Sequence, residues 1–218
     1  KSNYYRQSDN KRSWTVSKIE IFQTNPEEKL FEIVTASVNF SLPLVRIHED
    51  IFTLELFHGN TLAFKDTGAR FMSRCLGYFV RNADKKVTVL VATSGDTGGA
   101  VADGFFDVEA VDVVILYPSG KVSSVQEQQL TTFGKNITAI EVNGSFDDCQ
   151  QLVKQAFADE ELKKRLFLTS ANSINVARWL PQQFFYAFAW KQWNHKATPP
   201  VISVPSGNFG NICAGLLA

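Results

Sequence analysis

No excess of either charge is present: 22 lysines and arginines stand against 22 aspartates and glutamates in 218 residues. Without a net field, the chain has no electrostatic case for nucleic acid or a membrane surface as partner. No apolar run reaches the roughly 20 residues that a spanning helix needs, and no signal peptide is visible ahead of the fold. Cysteine is scarce. Cys75, Cys149 and Cys213 are odd in number, far apart and not at metal-ligand spacing, so reduced thiols in a cytoplasmic protein are the simplest account. The phosphate-loop pattern Gly-x-x-x-x-Gly-Lys-Ser/Thr is missing. So is Gly-x-Gly-x-x-Gly with an acid about 20 residues on, which removes the common nucleotide fingerprints. Repeats and low-complexity tracts are absent too. What is plentiful is phenylalanine, at 18 residues, in a chain long enough to bury a core as one large or two small domains.

The pattern that is present alternates strand and helix. Residues 1–18 read as a partly helical or loosely attached start. Asn25-Pro26-Glu27-Glu28 predicts a helix entry, with a helix over 26–36 turning Leu30, Phe31, Ile33 and Val34 inward. Residues 44–47 read as an extended connection to a strand at 51–57. Then follow helix 63–82, strand 87–92, helix 99–107, strand 111–117, helix 123–133, strand 137–142, helix 146–157 and strand 166–169. Helix 174–193 is bent or restarted at Pro181, and a strand over 201–205 precedes a last helix at 211–218. This rhythm predicts an α/β fold, parallel-sheet layers with helices on both faces joined by right-handed crossovers. The chain begins without methionine and stops inside a helical pattern, so a piece of a longer enzyme is expected.

In such sheets ligands sit where strands end and helices begin. Three of these places carry unusual chemistry. At the first, the turn His58-Gly59-Asn60-Thr61 leads to Lys65 beside Phe64. Desolvation there favours the neutral, nucleophilic amine, and a surface lysine whose stem lies along the helix is the competing reading. The second is Thr93-Ser94-Gly95-Asp96-Thr97-Gly98-Gly99, whose hydroxyls and amides open a helix and can hold a carboxylate or phosphate. The third is Ser206-Gly207-Asn208-Phe209-Gly210, where glycines let several N–H groups point at one anion. Either glycine-rich turn alone is equally explained by turn geometry and capping. An anion cradle together with an isolated lysine suits a phosphorylated carbonyl cofactor held as a Schiff base, pyridoxal 5'-phosphate.

Four blocks carry a resemblance. They are Leu-Phe-His-Gly-Asn-Thr-Leu-Ala-Phe-Lys-Asp (56–66), Ala-Thr-Ser-Gly-Asp-Thr-Gly (92–98), Ser-Ala-Asn-Ser-Ile-Asn-Val-Ala-Arg (170–178) and Val-Pro-Ser-Gly-Asn-Phe-Gly (204–210). In order and spacing they resemble the threonine synthase family, within the tryptophan-synthase-β-like group of pyridoxal phosphate enzymes, from about residue 26 to the end. The resemblance implies a reaction of O-phosphohomoserine with water giving threonine and phosphate. It implies that Lys65 forms the Schiff base and shuttles protons, with Phe64 beside the cofactor ring. Ser206, Gly207, Asn208, Phe209 and Gly210 would hold the cofactor phosphate. Thr93, Ser94 and Thr97 would receive the substrate carboxylate, and Asp96 would share a proton with the cofactor's phenolic oxygen. Asn172, Ser173, Asn175 and Arg178 would bind the substrate phosphate, Arg178 through its planar fork.

The division so implied is an N-terminal segment and start of a large domain (1–62), a smaller α/β domain (63–170) and a return to the large domain (171–218). Asn60 stands where the family usually has proline and is expected to loosen the turn before Lys65. His58 is read as a structural hydrogen-bonder sooner than a catalyst, and His48 and His195 have no visible partners. The aromatic set Phe184, Phe185, Tyr186, Phe188, Trp190 and Trp193 reads as core or subunit contact, and the charges of 159–165 as a solvated helix end. Two alternatives stay open, a pyridoxal phosphate dehydratase acting on serine or threonine and a catalytically silent relative that keeps the cofactor. The isolated chain is expected to turn over little or nothing.

Overall fold

The computed structural model describes residues 26–194 and 197–218, so the readings of residues 1–18 and of His195 lie outside the described residues. The chain forms two units, Lys1–Glu32 and Ile33–Ala218. In the first, the described part is the opening of helix α1 (Pro26–Ser37), whose Glu27 and Glu28 suit the positive end of the helix dipole. Ile33 and Ser37 are the buried positions of α1, whereas Phe31, expected inward, is 71% exposed. It lies about 100° around the helix from each of its neighbours Leu30 and Glu32, off the stripe that residues 30, 33, 34 and 37 define.

The second unit takes in the end of α1 and then a hairpin. The residues read as an extended connection pair as β1 (Leu44–His48) with β2 (Ile51–Leu54), antiparallel and with a bulge between Arg46 and His48. Then come α2 (Lys65–Val80), β3 (Val87–Ala92), α3 (Asp96–Phe105), β4 (Val111–Pro118), α4 (Ser124–Thr131), β5 (Ile137–Val142), α5 (Phe146–Ala158), α6 (Glu160–Arg165) and β6 (Phe167–Ser170). Ser123 caps α4, and Ser145 with Asp148 forms a capping box on α5. The 159–165 charges make a helix of their own, α6, with Asp159 accepting from the Glu161 and Leu162 amides. The expected restart at Pro181 is found: α7 (Val176–Trp179), a 3-10 turn (Leu180–Gln182) and α8 (Gln183–Gln192). The last element is α9 (Gly210–Leu217).

Four strands form one parallel sheet in the order β5-β4-β3-β6. Every residue of β3 is buried, as a strand covered on both faces requires. The period of two then sorts its side chains. Val87, Val89 and Val91, with Val113 and Ile115 of β4, pack against Met72 and Leu76 of α2 and Phe105 of α3. Leu90, Ala92 and Leu116 turn to the opposite face and meet Cys149 and Val153 of α5. Helices therefore cover both faces, as the alternation predicts. Among the described residues, no helix is long and apolar enough to cross a membrane.

The strand expected over 201–205 is not formed. Val201 is 99% and Ile202 53% exposed, and no ladder partner for this segment is present among the described residues. An extended segment becomes a strand only by pairing its N–H and C=O groups. Of the aromatic set, Phe185 is buried, while Phe188 and Trp190 are exposed and Trp193 packs edge-on against Phe52 at 5.2 Å.

Candidate active site

The chain builds β3, β4 and β5 outward and then returns to set β6 on the other side of β3. Such a reversal opens a crevice at the carboxyl ends of the two strands where it occurs. Asn172, just past β6, bridges the pair: its Oδ1 accepts from the Ala92 N–H at 3.2 Å and its Nδ2 donates to the Ala92 carbonyl at 2.8 Å. The side chain acts as one more rung of the ladder. Asn175 is likewise engaged with backbone, capping α7 at the Ala177 amide and donating to the Ser170 carbonyl at 3.0 Å. Ser173 between them is exposed.

The Thr93 turn is shaped from within. Thr93, almost wholly buried, accepts at Oγ1 from the Gly95 and Gly98 amides at 3.0 and 2.8 Å and donates to the Gly95 carbonyl. Gly95 has φ +145°, a region closed to most residues, and a β-carbon there would lie 2.4 Å from Gln126 Oε1. Ser94 is exposed, while Asp96 and Thr97 start α3.

Lys65 is the first residue of α2. Its Nζ donates to Asp96 Oδ1 and to Thr97 Oγ1, both at 2.9 Å, and lies 5.8 Å from the centre of the Phe64 ring. The Lys65 side chain is 17% exposed. The surroundings are therefore only half apolar, with an aromatic face on one side and a carboxylate and hydroxyl on the other. This geometry joins the first two of the three turns and excludes the freely solvated lysine. Phe64 in turn meets Phe185 edge-on at 6.5 Å.

Asp66, which the sequence reading passed over, holds the turn ahead of the lysine. Fully buried, it accepts from the Thr61 amide at 2.9 Å and from the Thr61 hydroxyl. Burial raises its pKa above the ordinary 3.8, against the lowering effect of the Thr61 hydrogen bonds. A raised carboxyl pKa means that the folded state holds the proton more tightly. This contribution to stability is complete below the unfolded value and is lost as pH rises through the folded one. Asp66→Ala is expected to cost about 1–3 kcal/mol, because two half-buried Thr61 donors lose their acceptor, and urea unfolding of the full-length protein measures it.

Asn60, expected to loosen this turn, fastens it: Nδ2 donates to Asp103 Oδ1 at 2.9 Å. His58 pairs with Glu55 at 2.7 Å, in keeping with its structural reading.

Arg178 is 3% exposed and donates through one terminal nitrogen to the Ala171 carbonyl, but its Nε has no partner. Burial lowers its pKa to about 10, although Asp96 and Asp66 act to raise it. The α7 backbone reaches this position because α2 carries Gly68 there, where a β-carbon would lie 2.1 Å from the Arg178 carbonyl oxygen. A buried cation with an open donor invites an anion. The third turn is open: Ser206 Oγ donates to the Val204 carbonyl, a β-carbon at Gly207 would meet nothing within 4 Å, and Asn208 and Phe209 are exposed. Gly210 starts α9 close to Ser173 and Trp179.

The family model described as pyridoxal-phosphate dependent enzyme matches residues 42–218. The chain is 53% identical to a threonine synthase from Escherichia coli over 194 residues, covering 88% of this chain and 45% of that protein. Among solved structures, it resembles the crystal structure of threonine synthase from Escherichia coli with TM-score 0.81 and 52% identity, covering 88% of this chain and 45% of that one. It also resembles the PLP-bound threonine synthase from Brucella melitensis with TM-score 0.80 and 40% identity, covering 88% and 43%. The chain thus spans about half the length of the curated relatives it matches, 45% for the Escherichia coli protein.

The residues present suit pyridoxal phosphate. Lys65 supplies an amine beside an aromatic ring, and the 206–210 turn supplies open amides at a helix start for the phosphate. The orphaned Nε of Arg178 leaves a second place for negative charge. With the match reaching from the β1 hairpin through the lysine and both glycine turns, the chain belongs to the family of pyridoxal-phosphate dependent enzymes.

Proposed function

We propose that the protein of which this chain forms part converts O-phospho-L-homoserine and water to L-threonine and phosphate, in the cytoplasm, with pyridoxal phosphate as cofactor. The observation that carries the reading is the contact of Lys65 Nζ with both Asp96 and Thr97 at the crevice between β3 and β6. The likeness to threonine synthases over 88% of the chain supports the choice of reaction. When bound, the cofactor supplies an electron sink beside the substrate's amino group.

The chain's own residues do the rest. Lys65 would hold the cofactor through Nζ, and its amine, when free, would move protons between neighbouring carbons of the substrate. Asp96 and Thr97 hold that nitrogen in place between transfers. Ser206 to Gly210 hold the cofactor phosphate with backbone amides and the Asn208 side chain. Ser94 and the amides that start α3 receive the substrate carboxylate, on a turn that Thr93 keeps rigid from inside. Arg178 and Ser173 face the leaving phosphate, where Arg178 stabilises the charge that builds on it. Asn172 and Asn175 serve this site by holding its backbone.

The test is a coupled assay on the full-length protein loaded with pyridoxal phosphate. Phosphate and threonine released in equal amounts from O-phosphohomoserine are expected. Release of a keto acid from serine or threonine, with no phosphate from O-phosphohomoserine, would assign a dehydratase instead. Binding of the cofactor without either reaction would leave a silent relative.

A further inference from the structure

We propose that Asn60 is a positioning residue for Lys65: its amide ties the turn that delivers the lysine to Asp103 on α3, and so sets the gap between Lys65 and the Asp96 and Thr97 groups on that same helix. The inference rests on Lys65 being the cofactor-bearing amine.

Two helices meet at the site, α2 beginning with Lys65 and α3 beginning with Asp96. Asp103 follows Asp96 by seven residues, which is two turns, so both acids lie on one face of α3 about 10 Å apart along its axis. The near one bonds Lys65. The far one accepts from Asn60 at 2.9 Å through Oδ1 and pairs with Arg70 of α2 at 3.4 Å through Oδ2. Arg70 is itself fixed, donating to Asn39 Oδ1 at 2.6 Å with its guanidinium 5.5 Å from the Phe40 ring. At this level the helices touch, since a β-carbon on Gly104 would lie 3.0 Å from the Ala69 carbonyl carbon. A closed circuit results, from turn to α3, to α2 and back to the turn.

The turn needs this fastening because its backbone is strained. Leu62 adopts φ +60°, a left-handed conformation that residues with a β-carbon disfavour, and its side chain is 70% exposed, so packing does not hold it there. The Leu62 amide bonds the Gly59 carbonyl at 3.1 Å, and Asp66 holds Thr61. Both ties lie within the turn or on α2. Asn60 supplies the hydrogen bond by which the turn reaches α3. Without it, the turn is free to relax relative to α3, and the lysine amine follows.

Full-length holoenzyme carrying Asn60→Ala or Asn60→Pro tests this. Four quantities are read: the rate at which pyridoxal phosphate added to stripped enzyme becomes borohydride-trappable on Lys65, kcat, KM and Tm. Asn60→Ala is expected to slow trapping and to lower kcat about tenfold each, with KM within about twofold, the size of effect that one hydrogen bond to a charged acceptor allows. Asn60→Pro, which stiffens the turn by its ring but also lacks the amide that reaches Asp103, is expected to slow both in the same way. An Asn60→Ala protein with lowered Tm but unchanged trapping rate and kcat would overturn the proposal. So would unchanged rates in Asn60→Pro, which lacks the bond to Asp103. Absence of label on Lys65 in the unsubstituted enzyme is a different failure: it removes the reading of Lys65 itself, and this inference with it.

Discussion

Lys65→Ala in the full-length enzyme is expected to lower kcat by roughly a hundred- to ten-thousandfold, the usual worth of a positioned acid–base group, and to abolish borohydride-trapped label on the 56–66 peptide. Lys65→Arg separates charge from chemistry. A guanidinium can still pair with Asp96 and Thr97, where Nζ now makes two bonds at 2.9 Å, but it is no primary amine and cannot condense with an aldehyde. Both variants should therefore show that loss of kcat. Lys65→Arg should unfold at nearly the wild-type urea concentration, because the ion pair survives. Initial rates of phosphate release with mass analysis of the trapped peptide check the expectation, and Lys65→Arg turnover within tenfold of wild type would contradict it.

Arg178→Met is expected to raise KM for O-phosphohomoserine about 10- to 100-fold, corresponding to the ~1.5–3 kcal/mol of a hydrogen bond to a charged group. Its stability should move the other way or not at all. A guanidinium buried to 3% exposure with an unpartnered Nε carries a desolvation cost that the nearby Asp96 and Asp66 carboxylates offset only in part. Replacing such a cation by an apolar side chain of similar length removes that cost, although the bond to the Ala171 carbonyl is lost with it. The expected signature is weakened substrate binding at unchanged or greater unfolding free energy. A merely structural arginine would give the reverse, with stability lost and KM kept. Steady-state kinetics and urea unfolding on the same preparation distinguish the two.

The layered sheet was legible because its residues obey one rule at a time. Val87–Ala92 is apolar throughout and is covered on both faces; Ile137–Val142 falls at its expected bounds. The position of the lysine turn was legible, because Lys65 follows Phe64 and a strand-end turn and opens a helix there. Asparagines 172 and 175 were read toward ligand because an amide that caps a helix or extends a ladder has the same donors and acceptors as one that grips a phosphate. Spacing within 170–178 does not separate these uses. Asp103 and Arg70 were missed for a different reason. Their importance lies in a contact between two helices, and neither helix announces it alone. Only the seven-residue interval from Asp96 to Asp103 carried a trace of it. The segment at 201–205 shows the limit of local pattern, because an alternating apolar run specifies a strand only when something lies alongside it.

At its base the β1–β2 hairpin is tied down by the side chain of Gln192, far along the chain. Gln192 donates to the Leu42 carbonyl and accepts from the Leu44 amide, across 150 and 148 residues of intervening sequence. During synthesis, these early strands emerge long before the glutamine that anchors them. They must wait, unmoored, while the whole parallel sheet is translated and assembled, so an early part of this unit is among the last to be locked in place.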